Sequence, residues 1–292
     1  MKINTFKEKY EYNDFDLIKR DVFGDIYKIK DKNVKTEYIL KKLIKKDPNN
    51  PNIKGTDKKY FEYEKNFLIN VKGTNIINII DYDEDEKYYY LVLEKMDGDL
   101  NMMLNKYKNG MSSKLIRKIF SQINSGLKIM IGKGKCHRDL IPENILFSYI
   151  NDKKNDFIVK IGDFGLSTDL IGSTNVINIG TELFKAPEVN NENYSNKCVL
   201  YSIGIILYML KTGEYIFDGK DYVDKLFNKK LNKMKKDTDD AKLNSLIKKL
   251  IVIDPHERME WKDYFEDPFF KVNDEDVKES EEIKIKLNIL DK

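Results

Sequence analysis

The sequence predicts an α+β protein in two parts, with a strand-rich first third, a helix-rich remainder and a seam near residues 94–99. Three observations carry this. Ile26, Tyr27 and Ile29, then Tyr38, Ile39 and Leu40, are strand-forming residues bounded by turn residues. Past Gly98 the apolar spacing turns helical, with Ile116, Ile119, Phe120, Ile123, Leu127 and Met130 on one stripe. No repeat of fixed period and no low-complexity stretch suggests another organisation.

Taken in order, Phe15 to Leu43 reads as short β segments, and 47–57, rich in Pro and Asn, as a loop. Tyr60 to Val71 carries apolar residues at helical spacing. Ile76 to Tyr82 and Tyr88 to Leu93 read as two strands joined by an acidic turn. Ser112 or Ser113 is an expected N-cap for the long helix that follows. Further helices are expected near Cys198–Leu210 and Leu243–Ile253. From about Val272 the chain is charged and expected to be peripheral.

Composition excludes several function classes. A hydrophobic fraction of 41% is enough for a sizeable core. Charged residues reach 35%, above the roughly 25% of ordinary soluble domains. The 52 basic and 49 acidic residues nearly cancel, leaving +3, so the balance argues for neither nucleic acid nor a membrane as partner. The lysine runs at 41–46 and 229–236 read as solvated faces. Cys136 and Cys198 are too few for a disulfide framework. They are expected to be reduced thiols of a soluble cytoplasmic protein, and the two histidines do not complete a zinc site. The first residues lack the apolar core of a signal peptide, and the longest apolar run, Ile203 to Leu210, is too short to span a bilayer. Nothing in the sequence fixes an oligomeric state.

Three motifs occur in a telling order: HRDLIPEN at His137–Asn144, DFG at Asp163–Gly165, and GTELFKAPE at Gly180–Glu188. Any one triplet arises by chance; all three in sequence do not. Here the chain resembles the eukaryotic protein kinases, whose H-R-D, D-F-G and A-P-E motifs follow this order. The resemblance runs from about Phe15 to Phe270. It implies a bilobal fold in a domain spanning 15–270, with an N-lobe of about 15–96, a C-lobe of about 97–270, and a charged tail over 271–292. It also implies ATP and Mg²⁺ as cofactors and a protein substrate.

Moving a γ-phosphoryl group requires positioning and charge neutralisation more than covalent help. An isolated Asp or Asn is ordinarily a surface loop residue, but inside this ordered frame each acquires a role. The resemblance implies that Asp139 accepts or orients the substrate hydroxyl proton. It implies that Asn144 and Asp163 hold the metal, whose hardness suits oxygen ligands. YILKK resembles the family's lysine strand, making Lys41 the clamp on the α- and β-phosphates. Its implied partner is Glu64, with Glu62 as the fallback. Leu93 stands at the gatekeeper position, and the backbone of Glu94 to Met96 at the adenine-binding hinge. Ile18, Gly24, Ile26 and Ile39 are the implied roof of the nucleotide site, and Leu146 its floor.

Thr181 matches the serine/threonine pattern rather than the tyrosine-kinase one. Arg138 implies a pocket for an activation-loop phosphate, with Ser173 and Thr174 as candidates ahead of Ser167 and Thr168. Arg258 is expected to pair with Glu188.

Five departures point the other way. The glycine-rich loop retains only Gly24, with Lys19 and Asp21 at the earlier glycine positions. Glycines there admit close approach of phosphate to backbone. Ile39 replaces a small alanine against adenine. Ile141 replaces the lysine of H-R-D-L-K-P-E-N, which stabilises the transferring phosphate. Val199 replaces an aspartate that anchors the catalytic loop, and Tyr201 replaces a tryptophan, a tolerable change. Two readings follow: an ATP-dependent serine/threonine protein kinase, or a catalytically impaired pseudokinase acting as a nucleotide-binding or scaffold module. A small-molecule kinase is a third reading, against which the complete A-P-E segment and Thr181 argue.

Overall fold

A computed structural model of the chain describes residues 5–20, 24–47, 55–150, 156–165, 168–169, 183–190, 195–216 and 237–271. Asp21, Ser167, Ser173, Thr174 and Thr181 lie outside the described residues, as do the charged tail beyond Lys271 and most of the expected loop over 47–57. The chain divides into two compact units. One comprises residues 1–100, 125–137 and 143–169, the other 101–124, 138–142 and 170–292.

The first unit is built on a six-stranded antiparallel sheet. Its members are β1 (Tyr10–Glu11), β2 (Leu17–Arg20), β3 (Gly24–Asp31), β4 (Glu37–Ile44), β5 (Ile79–Glu84) and β6 (Tyr88–Glu94). The order is β1-β3-β4-β6-β5, with β2 also paired to β3. A short helix α1 (Thr5–Lys9) precedes β1.

Register decides which residues share a face. Lys41 pairs with Ile26 on β3 and with Leu91 on β6, and Ile39 pairs with Leu93. Because successive side chains alternate, Ile26, Ile39, Lys41, Leu43, Leu91 and Leu93 occupy the front. Tyr27, Tyr38, Leu40, Lys42, Tyr90 and Val92 occupy the back. The front buries Leu43, Tyr89 and Leu91 against Phe61 of α2 (Lys58–Asn70). The back buries Tyr27, Ile29, Leu40, Tyr90 and Val92 against Phe6 and Tyr10.

The strand expected from Ile76 begins only at Ile79. Ile76 and Ile77 are buried, and their backbone is engaged elsewhere: the Ile77 N–H donates to the Ile161 carbonyl at 2.9 Å. Asn75 completes the crossing, donating from Nδ2 to the Val159 carbonyl at 2.7 Å. A tertiary contact thus overrides the local strand preference. A smaller sheet joins β7 (Gly98–Asp99), β9 (Ile145–Tyr149) and β10 (Phe157–Ile161), while β8 (Lys135–Cys136) pairs with β11 (Thr168–Asp169).

The long helix α4 (Ser113–Gly132) follows α3 (Leu100–Lys106) and runs through both units. Its N-cap is Ser112, whose Oγ accepts the Leu115 N–H at 3.3 Å. All six residues of its expected stripe are at most 2% exposed.

The second unit centres on α5 (Lys197–Thr212), buried without interruption from Cys198 to Leu210. Gly213 ends it in the left-handed conformation at φ 73°, where an added Cβ would lie 2.1 Å from the Lys108 carbonyl oxygen. Helix α6 (Ala241–Leu250) is capped by Asp240, and α7 (Trp261–Phe265) brings the Tyr264 hydroxyl to Asn124 at 2.7 Å. Both cysteines are buried thiols outside any disulfide. No helix among the described residues is long and apolar enough to cross a membrane.

Candidate active site

Lys41, Glu64 and Asp163 form a coupled charge cluster within the first unit. Lys41 points forward from β4. Glu64 sits on the buried stripe of α2 with Phe61, Phe67 and Leu68. Lys41 Nζ donates to Glu64 Oε1 at 2.8 Å and Oε2 at 3.0 Å, and to Asp163 Oδ1 at 2.9 Å. Glu64 is only 3% exposed, whereas the Asp163 side chain keeps 45% of its exposure. Glu62, the fallback partner, faces elsewhere and pairs with Lys65.

The charges follow from this packing. Burial alone would lower the Lys41 pKa, but Asp163 and Glu64 together push it well above the ordinary lysine range. Burial pushes the Glu64 carboxyl up, with Lys41 working against it. Lys41 beside Asp163 holds that carboxyl below its usual range, outweighing its partial desolvation. The ammonium is thus held firmly charged next to an accessible carboxylate.

Aromatic packing fixes these groups from behind. Phe164, fully buried, stacks on Phe67 of α2 at 4.4 Å and 23°. The His137 ring lies 5.1 Å from Phe164, and His137 Nε2 is 2.9 Å from the Gly162 carbonyl oxygen. Asp163 itself adopts φ 54°, an uncommon conformation for a non-glycine residue. A Cβ at Gly165 would lie 3.3 Å from both Lys41 Nζ and Glu64 Oε2, so glycine leaves the ion pair its room.

The other expected site residues are placed as follows. Asn144 is buried in a 3₁₀ turn before β9, and its carbonyl accepts the Gly162 N–H at 2.8 Å, next to Asp163. Ile26, Ile39 and Leu93 share the front face with Lys41. Ile18 is 58% exposed, at a bulge in the β2–β3 pairing. Gly24 is required by the sheet itself, since a Cβ there would lie 2.2 Å from the Lys42 carbonyl oxygen. Leu146 packs under Gly162, whose added Cβ would lie 2.9 Å from Leu146 Cδ1. Met96 is half-buried past the end of β6. The Glu94 N–H is already engaged by the Asn78 carbonyl at 3.1 Å. Asp139 belongs to the second unit, on the segment 138–142 after Arg138, which has φ 64°.

Sequence reasoning missed the ion pair at Glu94. Lys160 of β10, its side chain 8% exposed, donates to Glu94 Oε1 at 2.6 Å, and the Asn78 N–H donates to the same oxygen at 2.7 Å. The signal was a single lysine in the otherwise apolar strand FIVKI, since a buried charge demands a partner. Among the described residues no group of three or more His, Cys, Asp or Glu side chains could hold a metal unaided. Asp163 and Asn144 carry oxygen donors of the kind Mg²⁺ takes alongside phosphate and water.

In the second unit, Arg258 donates to Glu188 from both terminal nitrogens, Nη2 to Oε2 at 3.1 Å, with both residues buried. Its guanidinium lies 5.2 Å from the centre of the Tyr201 ring, so tyrosine serves where the family pattern has tryptophan. Val199 is 3% exposed, and its side chain offers no hydrogen-bond acceptor. Ile141 is half-buried.

This constellation is that of a protein kinase. The chain matches the protein kinase domain over residues 12–270, and it belongs to that family, whose fold is α+β and bilobal. It is 32% identical over 274 residues to calcium-dependent protein kinase 4 of Plasmodium berghei, covering 90% of this chain and 50% of the relative. It is also 32% identical over 261 residues to the probable serine/threonine-protein kinase fhkB of Dictyostelium discoideum, covering 85% and 22%. An Aurora kinase of Yarrowia lipolytica is 29% identical, covering 89% and 69%. The chain spans about half the length of the Plasmodium relative or less of the other long relatives it matches.

Proposed function

We propose that this chain is a serine/threonine protein kinase that transfers the γ-phosphate of ATP to a protein hydroxyl in the cytoplasm, within a domain spanning 15–270. The observation that carries the reading is Lys41 held between a buried Glu64 and an accessible Asp163. A structural ion pair needs one carboxylate. A second carboxylate on the same ammonium, half exposed, gives the site a group able to meet a cation. Lys41 would anchor phosphate oxygens, with Glu64 fixing its position. Asn144 and Asp163 would hold Mg²⁺, which when bound neutralises phosphate charge. Ile26, Ile39, Leu93 and Leu146 would enclose the base, with Ile18 and Gly24 at the edge and the Glu94–Met96 backbone as its hydrogen-bonding rim. Asp139 would orient the acceptor hydroxyl and take its proton. Thr181 supports a serine or threonine acceptor.

Transfer of labelled phosphate from ATP to a generic protein acceptor tests this beside an Asp139→Asn variant. Turnover should fall by orders of magnitude in the variant; equal transfer by the two proteins discards the kinase reading. A second reading, a pseudokinase, rests on Ile141 and on the buried Val199, neither of which supplies the polar group expected there. Saturating MgATP separates the cases, because a ligand bound only to the native state raises the melting temperature. A shift without turnover marks a nucleotide-binding module, and the absence of both marks a scaffold.

A further inference from the structure

We infer that residues 5–11 form a strap across the back of the sheet and that Phe6 and Tyr10 are positioning residues for Lys41. The inference rests on the nucleotide-binding role proposed for Lys41. The strap lies ahead of residue 12, where the match to the kinase domain begins, so the shared domain does not account for it.

Its C-terminal half, residues 7–11, is tied both to β3 and to β5. On one side, β1 pairs with the end of β3, Tyr10 opposite Asp31 and Glu11 opposite Lys30. The Lys32 N–H donates to the Lys9 carbonyl at 2.9 Å, and Lys32 Nζ to the Lys7 carbonyl at 2.6 Å. On the other side, the Tyr10 hydroxyl and Lys9 Nζ both donate to Asp81 Oδ2, at 3.0 and 2.6 Å. Asp81 belongs to β5, the far edge of the order β1-β3-β4-β6-β5. Lys9 and Tyr10 therefore tie β3 to β5, and Phe6 and Tyr10 pack over β4 and β6 between them.

The strap buries its aromatic rings on those middle strands. Phe6 is 4% exposed and stacks on Tyr90 at 4.6 Å and 20°, while Tyr10 is 2% exposed. Both join one cluster with Leu40 and Val92. Leu40 precedes Lys41 and faces the strap, while Lys41 faces the ion pair. Packing on the back face restrains the β4 backbone at Leu40, the residue before Lys41, so that support bears on where Lys41 Nζ comes to rest. Errors of about 1 Å in such a group cost on the order of a hundredfold in function.

Two variants of the full chain test this: Phe6→Ala, which removes the ring, and Asp81→Asn, which weakens the far anchor without opening the core. Phe6→Leu serves as the conservative control. Three quantities are read: melting temperature, affinity for a fluorescent ATP analogue with Mg²⁺, and amide hydrogen exchange. Phe6→Ala should melt about 6–10 °C lower. In both test variants exchange should rise in β4 and β6, and the analogue should bind about tenfold or more weakly. Phe6→Leu should regain most of the affinity. Leu246→Ala, a core cut on α6, should lower melting while leaving affinity within about twofold. Unchanged affinity in both test variants, with faster exchange confined to residues 5–11 and 30–32, overturns the proposal. If the parent chain binds no nucleotide, the kinase reading fails by itself, and exchange in β4 still decides whether the strap supports Lys41.

Discussion

Lys41 and Lys42 are neighbours on β4, yet they face opposite sides of the sheet and are held by different physics. Lys41 ends in two carboxylates on the front. Lys42 lies over tyrosine rings on the back, 4.3 Å from Tyr88, 5.7 Å from Tyr27 and 5.9 Å from Tyr12. Lys42→Met should cost about 1–2 kcal/mol, the scale of cation–π contacts, and leave the MgATP-induced melting shift intact. Lys41→Met should erase that shift and cost about 3–5 kcal/mol by stranding Glu64. Glu64 already titrates above its usual range, and removing its counter-ion raises it further. Below its unfolded value it is protonated in both states, and as pH rises the unfolded state alone ionises. The Lys41→Met deficit should therefore grow from pH 4 to pH 8, as denaturant melts at several pH values will reveal.

Asp163 gives the opposite slope. Lys41 holds its folded pKa below the ordinary carboxylate value of about 3.9. On acidification the unfolded chain takes up the proton first, so the stability it contributes is present above that value. It is lost as pH falls through the folded pKa. The difference in melting temperature between the parent and Asp163→Asn should shrink from pH 6 to pH 3. Asp163 also helps to raise Glu64, so both proteins carry Glu64→Gln to leave the Asp163 titration alone. A difference that stays constant with pH means that Lys41 and Asp163 are not coupled.

Glu64 was named ahead of Glu62 from the family resemblance alone, and the structure supplies the physical reason, since helical spacing puts Glu64 on the buried stripe with Phe61, Phe67 and Leu68. The alternation of β4 separates Lys41 from Leu40 in the sequence itself. Other features were not legible. The strap reads TFKEKYE, a largely charged segment whose anchor, Asp81, is more than seventy residues away. Ile76 and Ile77 look like strand residues, but Ile161 of β10 claims the Ile77 N–H from across the fold. Glu94 was read for its backbone, whereas its carboxylate is the partner of Lys160. In each case the missing information is a long-range contact, which local pattern does not encode.

The Phe67–Phe164 stack links α2, the helix of Glu64, to the residue after Asp163. Phe67→Ala should cost about 3–5 kcal/mol as a buried aromatic deletion. It should also weaken MgATP binding more than an equally costly cut in α6, because it frees both carboxylates around Lys41. Comparing the nucleotide-induced melting shift of Phe67→Ala and Leu246→Ala checks this. Equal shifts mean that the stack stabilises the fold without setting the site.

Arg258 and Glu188 form a buried, two-pronged pair, and Arg258 also donates to the Val252 and Lys197 carbonyls. Arg258→Met leaves Glu188 charged and unpaired and should cost about 3–5 kcal/mol. The double variant Arg258→Met, Glu188→Met should recover part of that loss, since no charge then remains buried. Urea unfolding of the three proteins measures the coupling; a double variant no more stable than Arg258→Met would assign the loss to the stranded carbonyls.

Ile141 bears most directly on whether the chain turns over. It lies two residues beyond Asp139, where the family pattern supplies a cation, and its aliphatic side chain provides no charge to a migrating phosphoryl group. Such a cation acts on charge that develops during transfer, so restoring it should raise kcat more than it tightens ATP binding. Ile141→Lys should increase phosphate transfer to a generic acceptor by about tenfold or more, with the KM for ATP changed less than about threefold. Half-burial of Ile141 leaves a lysine stem room to reach solvent, so melting should fall little. If transfer stays flat while nucleotide binding persists, the deficit lies elsewhere. Val199, buried where an anchoring acceptor is expected, then becomes the residue that makes this chain a binding module rather than an enzyme.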